Sequence, residues 1–172
     1  MVVPYRNGRS PTRQDAPTAR PSGRLGDRRS VAGALAFLGD ALRRFGETEL
    51  AEKTLSDAAS VFHELRDLGG EAETTNLYAA LTFSRGAPPV ARSRYAKALC
   101  LARQISSGKD QADALAGIAA CNQAEGRETA AGRNYRRALK LYRSMKCDAD
   151  ATRIREALVA LGVAAAPPGT RA

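Results

Sequence analysis

Tryptophan is absent from this 172-residue chain, and aromatic residues make up only 5% of it. A core that poor in rings must be closed by small side chains, which suits helices packed close together. Histidine occurs once, as His63, so a histidine-rich metal site is excluded. The three cysteines, Cys100, Cys121 and Cys147, form no C-x-x-C pair and leave one over. They read as reduced thiols of a soluble, cytoplasmic protein. Long apolar runs are also missing. The longest, 157–166, is broken by Gly162 and falls well short of the ~20 residues that span a bilayer. The opening Met1–Arg6 lacks the apolar centre of a signal peptide.

Catalytic signatures are lacking as well. There is no G-x-x-x-x-G-K-[ST], no G-x-G-x-x-G after a strand and no H-E-x-x-H, since His63-Glu64 runs on into Leu65-Arg66. Gly108-Lys109 falls in a turn without the other glycines of a phosphate loop, and chance composition explains a pairing of His63 with Cys100 or Cys121 better than chemistry does. The carboxylates Asp57, Glu64, Glu71 and Glu73 are expected on solvated faces. The expectation is therefore a chain that is no enzyme, with no catalytic residue, metal or cofactor.

What the chain does have is positive charge and a strict beat. The net charge is +9, concentrated early: Arg6, Arg9, Arg13, Arg20, Arg24, Arg28 and Arg29 stand against Asp15 and Asp27 in the first 30 residues. A basic arm on a near-balanced body describes it. The beat is a 40-residue repeat in which Ala51, Leu55 and Ala58 recur as Ala91, Tyr95 and Ala98, then as Ala131, Tyr135 and Ala138. Spacings of three and four residues place each trio on one helix face. Gly46, Gly86 and Gly126 keep the same time, as do Leu25, Leu65, Ile105 and Met145. A fixed period carrying helical spacing is the mark of stacked helical hairpins.

Taken in order, residues 1–24 carry Pro4, Pro11, Pro17 and Pro21 without apolar periodicity and are expected to be a disordered basic arm. The repeat domain covers 25–162. The first hairpin spans about 30–68, with Ser30 as a candidate N-cap, Leu35, Leu38 and Leu42 in its first helix, and Leu50, Leu55, Val61 and Phe62 inward in its second. Gly69-Gly70 is expected to break the chain. The second hairpin spans about 71–106, with Pro88 and Pro89 at a helix start where proline is tolerated, and the third about 110–146. A last helix, 150–161, places Ile154, Leu158 and Leu161 on one side and closes the array. Residues 163–172 are expected to be a flexible tail. The register reaches back to Leu25 with no upstream helix, as if an earlier part of the array had been lost or replaced. An exposed apolar flank at Leu35, Leu38 and Leu42, open to self-association, should result.

These residues resemble the tetratricopeptide repeat over about 25–162. The family pairs a large apolar with a small residue midway along the first helix, as Leu38-Gly39, Tyr78-Ala79 and Ile118-Ala119 do here, and places alanine, a large residue and alanine in the second, as the trios do. The period exceeds the usual one of about 34 residues, so the chain is similar to the longer-helix variety of kinesin light chains and actinobacterial regulators. Thr74–Tyr78 is similar to their Asn-Asn-Leu-Gly element. The family tryptophan and helix-end proline are absent. The resemblance implies an all-α, right-handed solenoid of three hairpins plus a capping helix, whose first helices line a concave groove for a peptide or helix of a partner protein. Carried over by position, the groove holds Phe37, Asp40, Arg43 and Arg44; Glu73, Asn76, Leu77, Ala80 and Phe83; and Asp113, Ala116, Ala120 and Gln123. Asn76 ranks first, because an amide can hold a peptide backbone by donating and accepting at once. Arg43 and Arg44 would suit an acidic group. Ala36 and Asp40 stand where the carboxylate-gripping Lys and Asn of chaperone-binding members would be, so that specific function is not expected.

Protein recognition, in regulation or assembly, is thus the leading function. Nucleic-acid binding is the competitor. Arg133, Arg136, Arg137, Lys140 and Arg143 fall at helical spacing, continued by Arg92, Arg94 and Lys97, and could meet phosphates. Tyr135 and Tyr142 are needed in the core, so no stacking platform is free there. A third reading is a detached C-terminal sensor array of a transcriptional regulator or signalling ATPase.

Overall fold

The computed structural model describes residues 21–162, with side chains from Asp27 onward. Seven helices follow one another: α1 (Pro21–Arg44), α2 (Thr48–Glu64), α3 (Leu68–Ser84), α4 (Pro88–Gln104), α5 (Gly108–Ala124), α6 (Glu128–Ser144) and α7 (Asp148–Ala160). No strand occurs among the described residues. From α2 onward each helix starts 20 residues after the one before, so the 40-residue period of the sequence is two helices long.

Each connection between helices uses the same three-residue device. The second residue of the turn is left-handed, and its N–H and that of the third residue bond back to the closing turn of the helix. Gly46 N donates to Arg43 O (3.1 Å) and Glu47 N to Leu42 O (2.9 Å); Arg66 and Asp67 do the same to His63 and Phe62 (3.0 and 2.9 Å). This doubled bond satisfies carbonyls that the helix end leaves unpaired. The third residue then opens the next helix. Asp67 accepts from Gly69 N and Gly70 N at 3.1 and 3.2 Å, and Ser107 accepts from Asp110 N while donating to its carboxylate (2.6 Å). Within hairpins the left-handed residue is glycine (Gly46, Gly86, Gly126), while between them it is Arg66, Ser106 or Lys146.

The alanine trios do what their spacing predicts. Ala51, Ala58, Ala91, Ala98, Ala131 and Ala138 are fully buried, with Leu55, Tyr95 and Tyr135 closed in between them. Successive helices pack on one another, and the second-neighbour pairs α1·α3 and α3·α5 also touch. The first helices of the hairpins thus form one continuous layer, an α-solenoid whose inner wall they supply.

Several expectations are corrected. Helix α1 begins at Pro21, not near Ser30, and Ser30 lies inside it. Proline is harmless in a first turn, whose N–H groups have no helical partner anyway. The rest of the expected arm, 1–20, and the expected tail, 163–172, lie outside the described residues. Gly69-Gly70 does not break the chain. Both belong to the first turn of α3, and Gly70 is there for packing, since a β-carbon on it would stand 2.0 Å from the Phe62 ring. Leu50, expected inward, is exposed.

The flank at hairpin one is apolar, but the residues differ in part. Leu35 and Leu42 pack against core clusters, and the exposed stripe is Val31, Leu38 and Phe45, at 58, 51 and 84%. One period on, these positions are Glu71, Tyr78 and Arg85, all of which bond to α2: Glu71 to His63, Tyr78 to Glu52 O and Arg85 to the Glu52 carboxylate. The stripe is therefore the face on which α1 would receive a preceding helix, and among the described residues none covers it.

Candidate functional site

A trough of about 610 Å³ runs along the inner wall. Its lining follows the repeat in columns. Phe37, Leu77, Gly117 and Ala157 form one, Glu73, Asp113 and Arg153 a second, and Asp40, Ala80 and Ala120 a third. The constant 20-residue spacing from α2 to α7, with the same turn at every junction, puts equal positions of α1, α3, α5 and α7 side by side. The tyrosines Tyr95 and Tyr135, from the second-helix layer, reach through to the floor. Gly117 makes room for one of them, since a β-carbon there would stand 2.3 Å from the Tyr95 ring.

The charge of the trough is opposite to that of the chain. Its cations are all engaged: Arg44 Nε with Asp40 at 2.8 Å, Lys109 with Asp113 at 2.8 Å and with Asp150 at 3.9 Å, and Arg153 with Asp150 at 2.9 Å. Lys109 Nζ also lies 5.6 Å from the centre of the Tyr142 ring. Glu73 and Asp110 remain, and no cation pairs with either among the described residues. Burial, and then the neighbouring charges of Asp110 and Asp113, push the Glu73 carboxyl above the usual carboxylate value. Burial also raises Asp110, against the hydrogen bond from Ser107. Glu73, counted among the solvated carboxylates but also expected by position in the groove, is half-buried and lines the trough, where α5 brings two more carboxylates near it.

Asn76 lies beside them and is only 7% exposed. Its Nδ2 donates to Asp110 O at 3.1 Å, tying α3 to the first turn of α5. Its Oδ1 is buried without a hydrogen-bond partner. The bond to a carbonyl oxygen settles the orientation of the amide, because only the NH₂ end can donate to it. One N–H of the amide is thus engaged within the fold, and the acceptor oxygen is left over.

The other expected residues divide. Phe37 (69% exposed), Asp40, Arg44, Glu73 and Leu77 line the trough, whereas Arg43, Phe83 and Gln123 do not. Arg43 is held against Asp40 by two bonds, 2.9 and 2.8 Å. Phe83 packs against the cluster of Ala79, Ala91, Tyr95 and Cys121, and Gln123 accepts from the Tyr135 hydroxyl at 3.1 Å. Both arginines thus pair with Asp40, Arg43 outside the trough lining and Arg44 within it.

Asp110, Lys109, Asp150 and Arg153 were not anticipated in the groove. The columns would have reached Gly117, Arg153 and Ala157 by adding 40 to Leu77, Asp113 and Gly117. On the outer layer Arg133, Arg136, Arg137, Lys140 and Arg143 are all exposed on α6, while Tyr135 and Tyr142 are buried. The cysteines are free thiols: Cys100 exposed, Cys121 buried and Cys147 half-buried. Among the described residues no group of side chains could hold a metal ion and no helix is long and apolar enough to cross a membrane. The chain matches no known family model and no curated protein.

Proposed function

We propose that this chain is a tetratricopeptide-type binding module that holds an extended segment of a partner protein along the trough of α1, α3, α5 and α7. The observation that carries this is the trough itself. Columns of equivalent residues from four helices repeat along it, and an exposed Phe37 offers an apolar anchor at the α1 end. A surface that repeats at the helix spacing suits a ligand that is long and narrow. In this reading the partner is a cytoplasmic protein, the role is regulation or assembly, and no chemistry or cofactor is involved. The test is capture of partners from nuclease-treated lysate by the intact chain, compared with a Phe37→Ser, Ala120→Trp double variant that removes the anchor and plugs the trough. Partners lost from the double variant, with its circular dichroism unchanged, support the groove. Partners that leave with nuclease or moderate salt, indifferent to both changes, would transfer the function to the basic face of α6.

A second reading rests on the stripe of Val31, Leu38 and Phe45: two copies associate α1 against α1, each covering the other's open flank. Sedimentation velocity over a concentration series checks it. A dimer converted to monomer by Leu38→Glu, Phe45→Glu is the expected result, and a monomer at every concentration would sink the idea.

A further inference from the structure

We infer that the trough selects a segment carrying a cationic side chain, arginine or lysine, and seats that cation between Glu73, Asp110 and the unpartnered Oδ1 of Asn76. This rests on the groove reading above and names the chemistry that the groove would recognise.

The first ground is charge. In a chain of net +9, every cation lining the trough is answered by a carboxylate, and Glu73 and Asp110 are left over. The second ground is independent of charge. Asn76 is more than nine-tenths buried, lines the trough and keeps an acceptor oxygen with no donor. A buried acceptor without a partner is unfavourable, and a donor carried by a ligand would relieve it. Glu73, Asp110 and Asn76 therefore all ask for N–H groups. An ammonium or guanidinium offers several such donors and no acceptor. An acidic segment would set a carboxylate against carboxylates.

The experiment is selection of random nonapeptides displayed on phage against the whole chain, followed by anisotropy titration of the enriched peptides. The expected result is a basic residue at a constant position. Replacing arginine there by citrulline, its neutral isostere, or carrying Glu73→Gln in the protein, should weaken binding about tenfold each, the worth of one charge-assisted hydrogen bond. Enriched peptides that Ala120→Trp excludes, but that have no basic preference or tolerate citrulline and Glu73→Gln, would overturn the cation seat and leave the groove reading standing. If no peptide is enriched, or if enriched peptides ignore Ala120→Trp, both fall. Titrating a peptide of residues 1–20 against the same protein reports whether the chain's own arginines compete for the seat. Competition that Glu73→Gln abolishes supports a cation seat, and competition that survives it counts against one.

Discussion

Gly69 and Gly70 are neighbours in sequence, share the first turn of α3, and should respond to alanine in opposite ways. A β-carbon on Gly70 would lie 2.0 Å from Phe62 Cδ1 and 2.3 Å from two more atoms of that ring. Carbon atoms rest at about 3.5–4 Å, so ring and helix must separate by about 1.5 Å. Phe62 cannot swing aside, because it is 3% exposed and packed with Ala32, Ala36 and Ala58 between α1 and α2. Overpacking of this sort costs about 1–3 kcal/mol, while alanine returns at most about 1 kcal/mol over glycine in a helix. Even with that full gain the net loss is about 0–2 kcal/mol, or a fall in Tm of up to about 8 °C for a domain of this size. At Gly69 the nearest atom is Asp67 Oδ1 at 3.2 Å, then Ile105 Cδ1 at 3.8 Å. A slight adjustment of the capping carboxylate suffices, so Gly69→Ala should stay within about 1 kcal/mol of wild type, with propensity in its favour. Thermal and urea melts followed by circular dichroism decide between them. A Gly70→Ala protein more stable than wild type, or a Gly69→Ala protein that is the weaker of the two, would refute the packing argument.

Two further outcomes are expected. Glu73 holds its proton more tightly in the folded chain than the ordinary value of 4.5. Stability is therefore lost as pH rises through the range above that value, and the loss persists at pH 7. Glu73→Gln should melt higher than wild type at pH 7, and the advantage should vanish when the pH is brought below 4.5, where the carboxyl is protonated in both states; an advantage that is absent at pH 7 or independent of pH would contradict the burial assigned to this side chain. Lys146 is left-handed, with φ 58, a conformation that costs a side-chain-bearing residue about 1 kcal/mol. Lys146→Gly should accordingly raise stability by up to that amount in a urea titration, and a loss would mean that the lysine side chain contributes more than its backbone costs.

The Glu73 result bears on function, since the same substitution is expected to strengthen the fold and weaken ligand capture. A half-buried carboxylate set among like charges is poor design for a scaffold. It is reasonable for a seat that waits for a cation, because the ligand relieves what the fold tolerates.

Much of the architecture was legible in the residues. The alanine trios, the glycines before them and the return of both after one period are local facts about helix faces, and burial followed them closely. Two of the trough's columns follow for the same reason, since helices spaced 20 residues apart and joined by equal turns carry equal positions to the same wall. The column of Arg43, Phe83 and Gln123 misses it. Where the reading failed, the deciding partner lay on another helix. Gly69-Gly70 has the composition of a break, but Phe62 decides what Gly70 is for. Pro21 has the look of a helix stopper, yet a first turn accepts it. Arg43 and Arg44 resemble a waiting anion clamp until Asp40 is seen between them.

The sequence by itself therefore determined the period and the helix faces. These depend on spacing along the chain, and the geometry of an α-helix converts spacing directly into direction. Only the tertiary structure decided the sign of the groove. That required knowing that α5 carries Asp110 and Asp113 up to Glu73, that Lys109 and Arg153 are already engaged, and that Asn76 gives its donor to a backbone carbonyl 34 residues away. Electrostatics and hydrogen-bond satisfaction are properties of neighbours in space, and a stacked array sets those neighbours one helix at a time.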